Sequence, residues 1–351
     1  FVRIAMFRLQ ALVLAALTVS SAHATFTTES GRILDARGRI RSFRGVNAVE
    51  KLFPFYPVYD SFDAQRSLAD EDAQKLSSWG FNVVRLGLLW QGHQIDRETF
   101  NTTYLGEVAK VVDLLHANGV YVILDAHQDL LSPFYCGEGA PDFASTPSTE
   151  SKAFPSPLPF HIGTDKQGYS NLADCAKAEK EGLTFGQFYL THAVGKAFAR
   201  LYSDQEIGAA FAEHWGRVAS FFAGHPGVLG YELLNEPWAG DVLSDASLVT
   251  EPGRRVDQEA LQPFYERAIE AIRASDAETL VFFEQGVLAA NLGFKAGFDA
   301  PPGGPAEASR SVFSFHIYCH AVTGSGTPLG PAKVCDSDDA HQLKRGRASA
   351  R

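Results

Sequence analysis

Short apolar runs rich in Val, Leu and Phe alternate along this chain with amphipathic stretches of helical length, and that alternation constrains the fold more than any single residue does. It is the pattern of βα units, which bury a parallel sheet behind helices. Strands are predicted at Phe43–Val49, Asn82–Leu86, Tyr121–Asp125, Val228–Leu234, Leu280–Glu284 and Val312–His316. Helices are predicted at Asp70–Ser78, Tyr104–Asn118, Thr184–Leu201, Glu206–Ala223 and Asp257–Ala274. In the third, Phe188, Val194, Phe198 and Leu201 recur at roughly helical spacing. Polar groups gather just after the strand ends: Asn47, Arg85, His127-Gln128-Asp129, Asn235-Glu236, Glu284-Gln285, and His316 with Tyr318. In a (β/α)8 barrel those ends form one face, where catalytic groups converge. A doubly wound sheet would instead need a glycine-rich phosphate loop after its first strand, and Arg44-Gly45-Val46-Asn47 is not one. The expected fold is therefore an α/β TIM barrel, incomplete, with about six of its eight strands.

Composition agrees with a folded core. Hydrophobic residues make up 45% of the 351 and charged residues 21%, enough to fill a large domain without metal or disulfide staples. The net charge of −10 argues against nucleic acid as a partner. Residues 1–24 read as a signal peptide: Arg3 and Arg8 precede an apolar run from Ala11 to Val19, and Ala22-His23-Ala24 offers a cleavage site. The run is too short to span a bilayer, so the expectation is a secreted protein, extracellular or periplasmic. Met6 is the sole methionine, and translation is expected to start there. Residues 25–340 are read as the barrel domain. The stretch 341–351 is a basic tail with Lys344, Arg345, Arg347, Arg351 and no acid, an abrupt change that fits a basic tail, an out-of-frame end or a fragment.

Export also gives the cysteines a meaning. Cys136, Cys175, Cys319 and Cys335 permit three pairings, of which the local ones, Cys136–Cys175 and Cys319–Cys335, are favoured. No pair has zinc-ligand spacing, and no metal is expected. Between Gln128 and Thr184 no periodic pattern is evident, and a connection this long reads as a functional insertion closed by a disulfide. Leu52 to Tyr59 is an aromatic loop that fits an apolar wall for a lipid and a rim anchor about equally. Asn101-Thr102-Thr103 is an N-glycosylation pattern, relevant in a eukaryotic host.

The sharpest motif is Gly230-Tyr-Glu-Leu-Leu-Asn235-Glu236-Pro237-Trp238, in which a buried strand delivers Asn and Glu side by side and Pro237 ends the ladder. A strand-end Asn-Glu is otherwise a turn or a helix cap. With Asn82-Val-Val-Arg85-Leu-Gly, Leu124-Asp-Ala-His127-Gln-Asp129, Phe134-Tyr-Cys136-Gly-Glu-Gly-Ala-Pro-Asp and His316-Ile-Tyr318, it resembles the endoglycoceramidase branch of glycoside hydrolase family 5, over about Phe43 to Asp336. The resemblance implies a retaining glycosidase that cuts the bond between the glycan and the ceramide of glycosphingolipids. Such chemistry uses an acid/base of raised pKa and an ionised nucleophile, about 5–5.5 Å apart.

Residue by residue, the resemblance makes Glu236 the acid/base. Asn235 would hold the sugar 2-hydroxyl, and Arg85 would orient the nucleophile. Lys51, His127 and Asp129 fall at glycone-binding positions, with Trp238 and His316 also expected against substrate and Tyr318 expected near the nucleophile. Taken singly, Arg85 and Asp129 are equally well structural ion partners, His127 a strand-end histidine and Tyr318 a core residue. The family places its nucleophile Glu at the end of the seventh strand, yet no Glu follows His316, and Glu284 matches a substrate-site or structural position. The nucleophile is thus expected to be missing and the chain to be inactive. The alternatives are a glucosylceramidase or other β-glucosidase, and a non-catalytic glycolipid-binding remnant. The expected partner is a glycosphingolipid or other β-glucoside, with transient contact to a membrane or micelle surface. No cofactor is implied, since two carboxylates suffice.

Overall fold

The computed structural model describes residues 26–149, 151–318 and 332–349. Its centre is a six-stranded parallel sheet. Three short strands precede it, β1 (Thr27–Glu29), β2 (Arg32–Leu34) and β3 (Ile40–Arg41), forming a separate antiparallel sheet. The parallel strands follow in chain order: β4 (Gly45–Ala48), β5 (Val83–Gly87), β6 (Tyr121–Asp125), β7 (Val228–Glu232), β8 (Leu280–Glu284) and β9 (Ser311–Ser314). Each pairs with its sequence neighbour, as right-handed βα repeats require. All six predicted strands are present. Among the described residues nothing pairs β4 with β9, so the sheet curls without closing.

Side-chain alternation divides the sheet into two faces. Val84 and Leu86 on β5, Val122 and Leu124 on β6, and Val281 and Phe283 on β8 point outward into the main core under the helices. The inward positions change character along each strand. Val83, Ile123, Leu280 and Phe282 form a small apolar cluster at the N-terminal end, plugged by Phe26, whose ring meets Phe43 and Tyr121 edge-on at 5.7 and 5.3 Å. Two residues further on, the same faces carry Arg85, Asp125, Glu232, Glu284 and Ser314. The apolar cluster fills the N-terminal end, and the charged inward residues of these strands lie at the C-terminal end.

The longer α-helices are α1 (Asp70–Ser78), α2 (Tyr104–Ala117), α3 (Leu172–Lys180), α4 (His192–Ser203), α5 (Gln205–Phe222), α6 (Gln262–Arg273) and α7 (Ala332–Ser349). The helix predicted at Thr184–Leu201 is broken in two. A 3-10 segment, Phe185–Leu190, ends at Thr191, whose hydroxyl accepts the Val194 N–H and starts α4. The predicted Asp257–Ala274 helix divides into a π-helical stretch, Gly253–Leu261, and α6. In the insertion, α3 is capped by Asn171 and holds Cys175, which is disulfide-bonded to Cys136 as expected. The other predicted bridge involves Cys319, which lies outside the described residues, as does the predicted leader at 1–24. Helix α7 runs through position 341, where the charge pattern changes sign, and Gln342 bonds both the N–H and the carbonyl of Tyr318. Among the described residues no helix is long and apolar enough to cross a membrane.

Candidate active site

The C-terminal ends of β5 to β9 and the segment after β4 bring the predicted polar residues together. Arg85, on β5, is the hub. Its guanidinium donates to Glu232, lies 3.0 Å from Asp125 and 3.8 Å from Glu284, and donates to Asn235 Oδ1 at 2.9 Å. Burial opposes its charge, but these three carboxylates more than offset that and raise its pKa. Arg85 therefore organises carboxylates inside the barrel, Asp125 and Glu232 among them, neither of which the sequence reading singled out. The inward period-2 alternation is the signal that finds both: Asp125 and Glu232 lie two and four residues beyond apolar or glycine positions of the same face.

Glu236 follows β7 with a positive φ of 43°, a conformation costly for a residue with a side chain. Gln128 holds it there by donating to the carbonyls of Asn235 (2.8 Å) and Glu236 (3.2 Å), while the Asn235 amide returns a bond to the Gln128 carbonyl at 2.9 Å. The Glu236 carboxylate accepts from His316 Nδ1 at 2.6 Å and from the Tyr318 hydroxyl. Burial alone would raise the Glu236 pKa; the two donors outweigh it, and the net direction is down. This corrects the expectation of a raised acid/base pKa. Tyr318, expected beside the nucleophile, is likewise found on Glu236.

His316 links Glu236 to Glu284, its Nε2 lying 3.3 Å from that carboxylate. Burial disfavours charge on His316, yet Glu284 and Glu236 together raise it to about 9. Glu284 is wholly enclosed, and burial, with Glu232 and Glu236 adding to it, pushes its carboxyl up to about 8. A group that keeps its proton at neutral pH is a poor nucleophile.

The second cluster surrounds Lys51. Its ammonium contacts Asp129 and lies 3.0 Å from Glu138; His127 bridges Asp125 at 2.7 Å and Asp129 at 3.4 Å. Burial works against the His127 charge, but Asp125 and Asp129 raise it to about 9. Burial would raise Asp129 also, but His127 and Lys51 hold it down at about 2. Glu138, more penalised by burial and by Asp129, is pushed up to about 7 despite Lys51. The Cys136-Gly-Glu-Gly motif explains how Glu138 arrives. Residues 129 and 138 exchange backbone hydrogen bonds of 2.9 and 2.8 Å, and the two segments lie so close that a Cβ on Gly137 would be 1.8 Å from the Asp129 carbonyl oxygen and one on Gly139 2.4 Å from the Gln128 Cβ. Only glycine permits that approach.

Two triads have ligand atoms close enough to hold a cation, His127–Asp129–Glu138 and Glu232–Glu284–His316. Lys51 already contacts two members of the first and Arg85 two of the second. Trp238 departs from the sequence reading: it is 5% exposed, packed 5.1 Å from the Tyr189 ring within the core rather than open to a ligand, and its indole N–H has no partner among the described residues. The aromatic loop divides. Leu52 and Phe53 face solvent (59% and 80% exposed), whereas Phe55, Tyr56 and Tyr59 pack on the rim.

A parallel α/β barrel sheet whose strand ends present an Asn-Glu pair, an arginine hub and a histidine–tyrosine pair defines a barrel-fold protein with its chemistry at the C-terminal face. The chain belongs to glycosyl hydrolase family 5: residues 46–349 match the family model described as cellulase (glycosyl hydrolase family 5). It is 38% identical over 293 residues to a protein named endoglycoceramidase from Hydra vulgaris, covering 83% of this chain and 54% of that one. It is 31% identical over 299 residues to endoglycoceramidase I of Rhodococcus hoagii, covering 84% and 53%. The chain thus spans about half the length of the curated relatives it matches. Among solved structures, endo-glycoceramidase II from a Rhodococcus species superposes with a TM-score of 0.67 at 22% identity, over 90% of this chain and 63% of that one, a likeness of fold.

Proposed function

We propose that this chain carries the acid/base and sugar-binding part of a retaining β-glycosidase whose substrate is the glycan–ceramide bond of glycosphingolipids, exported behind the residue 1–24 leader. The observation that carries the reading is Glu236, held in a strained conformation at the barrel mouth with His316 and Tyr318 on its carboxylate, and joined through Asn235, Arg85, Asp125 and His127 to the Lys51–Asp129 cluster. Asn235, tied to Arg85, would meet the sugar 2-hydroxyl; Lys51, His127 and Asp129, charged and rigid, would bind the outer hydroxyls. Exposed Leu52 and Phe53 supply an apolar surface for the lipid part. The relatives' names support the substrate class, and one Rhodococcus structure is a ganglioside GM3 complex.

Turnover also needs a nucleophile, and the described residues offer none facing Glu236: burial pushes Glu284 towards its protonated form between His316 and Arg85, and Asp125 and Glu232 are committed to Arg85. That favours, as a second reading, a protein that binds the glycan headgroup without cleaving it. Incubation with a lactosyl glycosphingolipid tests whether this chain cleaves at all. The account expects no release of sugar from this chain. Release of intact disaccharide, abolished by Glu236→Gln, would show that a nucleophile is present; release of single glucose would favour a glucosylceramidase.

A further inference from the structure

The most unusual group outside the site is a pair of buried imidazoles. His93, on the short helix Trp90–His93 after β5, and His214, in the middle of α5, are 3% and 0% exposed, with their Nδ1 atoms 2.8 Å apart. At that distance one ring donates and the other accepts, so the pair is bonded only while at least one Nδ1 lacks a proton. The surroundings are apolar and aromatic: Trp90 and Phe211 beside His214, Phe100 and Tyr104 beside His93. His214 Nε2 is buried without a partner. Among the described residues no carboxylate bonds either ring. From α2 comes Tyr104, whose hydroxyl is taken by the Phe55 carbonyl and the Leu89 N–H; from α5 comes Arg217, a like charge, lying over the Phe100 ring and paired with Glu213.

We infer that the His93–His214 contact is an acid-sensitive latch: neutral, it ties the segment after β5 to α5, and protonated, it drives the two apart. Added protons either set two N–H groups head to head or charge a ring in an apolar enclosure. Burial, with Arg217 adding to it, holds His93 down at about 4, and burial holds His214 well below its ordinary value. The sign follows by linkage: groups depressed in the folded state stabilise it above pH 6.5 and lose that contribution as pH falls through the depressed values. The latch also reaches the sugar cluster. Gln91, on the same short helix, exchanges backbone and side-chain hydrogen bonds with Gly139, next to Glu138, so opening it would release the strand that brings Glu138 to Lys51.

Urea midpoints measured from pH 7.5 to 5 test this. In that window Glu138, Glu284 and Asp257, all raised, gain stability as pH falls, so the comparison is wild type against His214→Gln and against the double variant His93→Gln/His214→Gln, which keep hydrogen bonding without a titrating ring. The expected result is that both variants lose less of their midpoint than wild type on going from pH 7.5 to 5. Should a variant be too unstable to compare, ring-proton resonances of the wild type decide: the latch predicts that these two histidines stay neutral down to pH 5 while His127 and His316 are charged. Parallel pH profiles in wild type and variants, or His93 and His214 titrating near 6.5 in the folded protein, would overturn the inference.

Discussion

Glu284 and Glu236 show how one barrel mouth assigns opposite states to two glutamates. Both are enclosed, but Glu236 receives two donors on one oxygen, whereas Glu284 has the positive charges of His316 and Arg85 at 3.3 and 3.8 Å and two carboxylates as rivals. Burial therefore wins at Glu284 and loses at Glu236. A carboxyl whose folded pKa is raised stabilises the protein below its unfolded value and loses that stability as pH rises through the folded one. Glu284→Gln is accordingly expected to flatten the decline in urea midpoint between about pH 4.5 and 8; an unchanged profile would mean that Glu284 is ionised in the folded protein. The identities of Arg85, Glu236, His316 and Tyr318 were legible from motif and strand-end position. Their partners were not, because hydrogen-bond direction depends on distances across the barrel, over separations such as the 80 residues between His316 and Glu236.

At the scale of elements, the parallel strands were the most legible feature, since β7 and β8 are buried along their whole length and, up to the Glu that ends each, carry no charged residue. What escaped was short or weakly patterned. β1 to β3 have two or three residues each with little apolar periodicity, and α3 buries only Cys175 and Ala178, too small a face to register. The break at Thr191 escaped because Phe188 was read in one series with Val194, Phe198 and Leu201, although it lies six residues before Val194, and the Thr191 hydroxyl starts a new helix between them. The insertion is held by the Cys136–Cys175 bridge, which closes a 39-residue separation and lies one residue from Gly137. Removing it in Cys136→Ser/Cys175→Ser is expected to cost about 2–4 kcal/mol of unfolding free energy in urea titrations. A loss below about 0.5 kcal/mol would show that α3 and the aromatic packing of Phe134 on Tyr169 hold the insertion without it.

Across the whole molecule, the six-stranded sheet presents the outer edges of β4 and β9 without strand partners among the described residues. Gly45, Val46 and Asn47 on β4 are exposed, and a groove of about 400 Å³ runs beside them along α1 to Trp79, itself 67% exposed. Unpaired parallel edges next to exposed apolar groups invite association. The 351-residue chain is therefore expected to self-associate with rising concentration in light scattering, and a monodisperse monomer at all concentrations would show that the edges are covered. Barrel class was readable from the repeat of βα units with polar groups at the strand ends, and the open sheet from the count of only six strands; the pairings across the sheet were not, because no local pattern reports contacts between distant segments.

The central claim is that the residues around Glu236 and Lys51 form one sugar-binding mouth. Calorimetric titration with lactose tests it without requiring turnover. The account predicts saturable binding, weakened about tenfold or more, roughly 1.4 kcal/mol, by Asp129→Ala and by Asn235→Ala with the fold intact. Absence of binding, or binding that both substitutions leave unchanged, would contradict it.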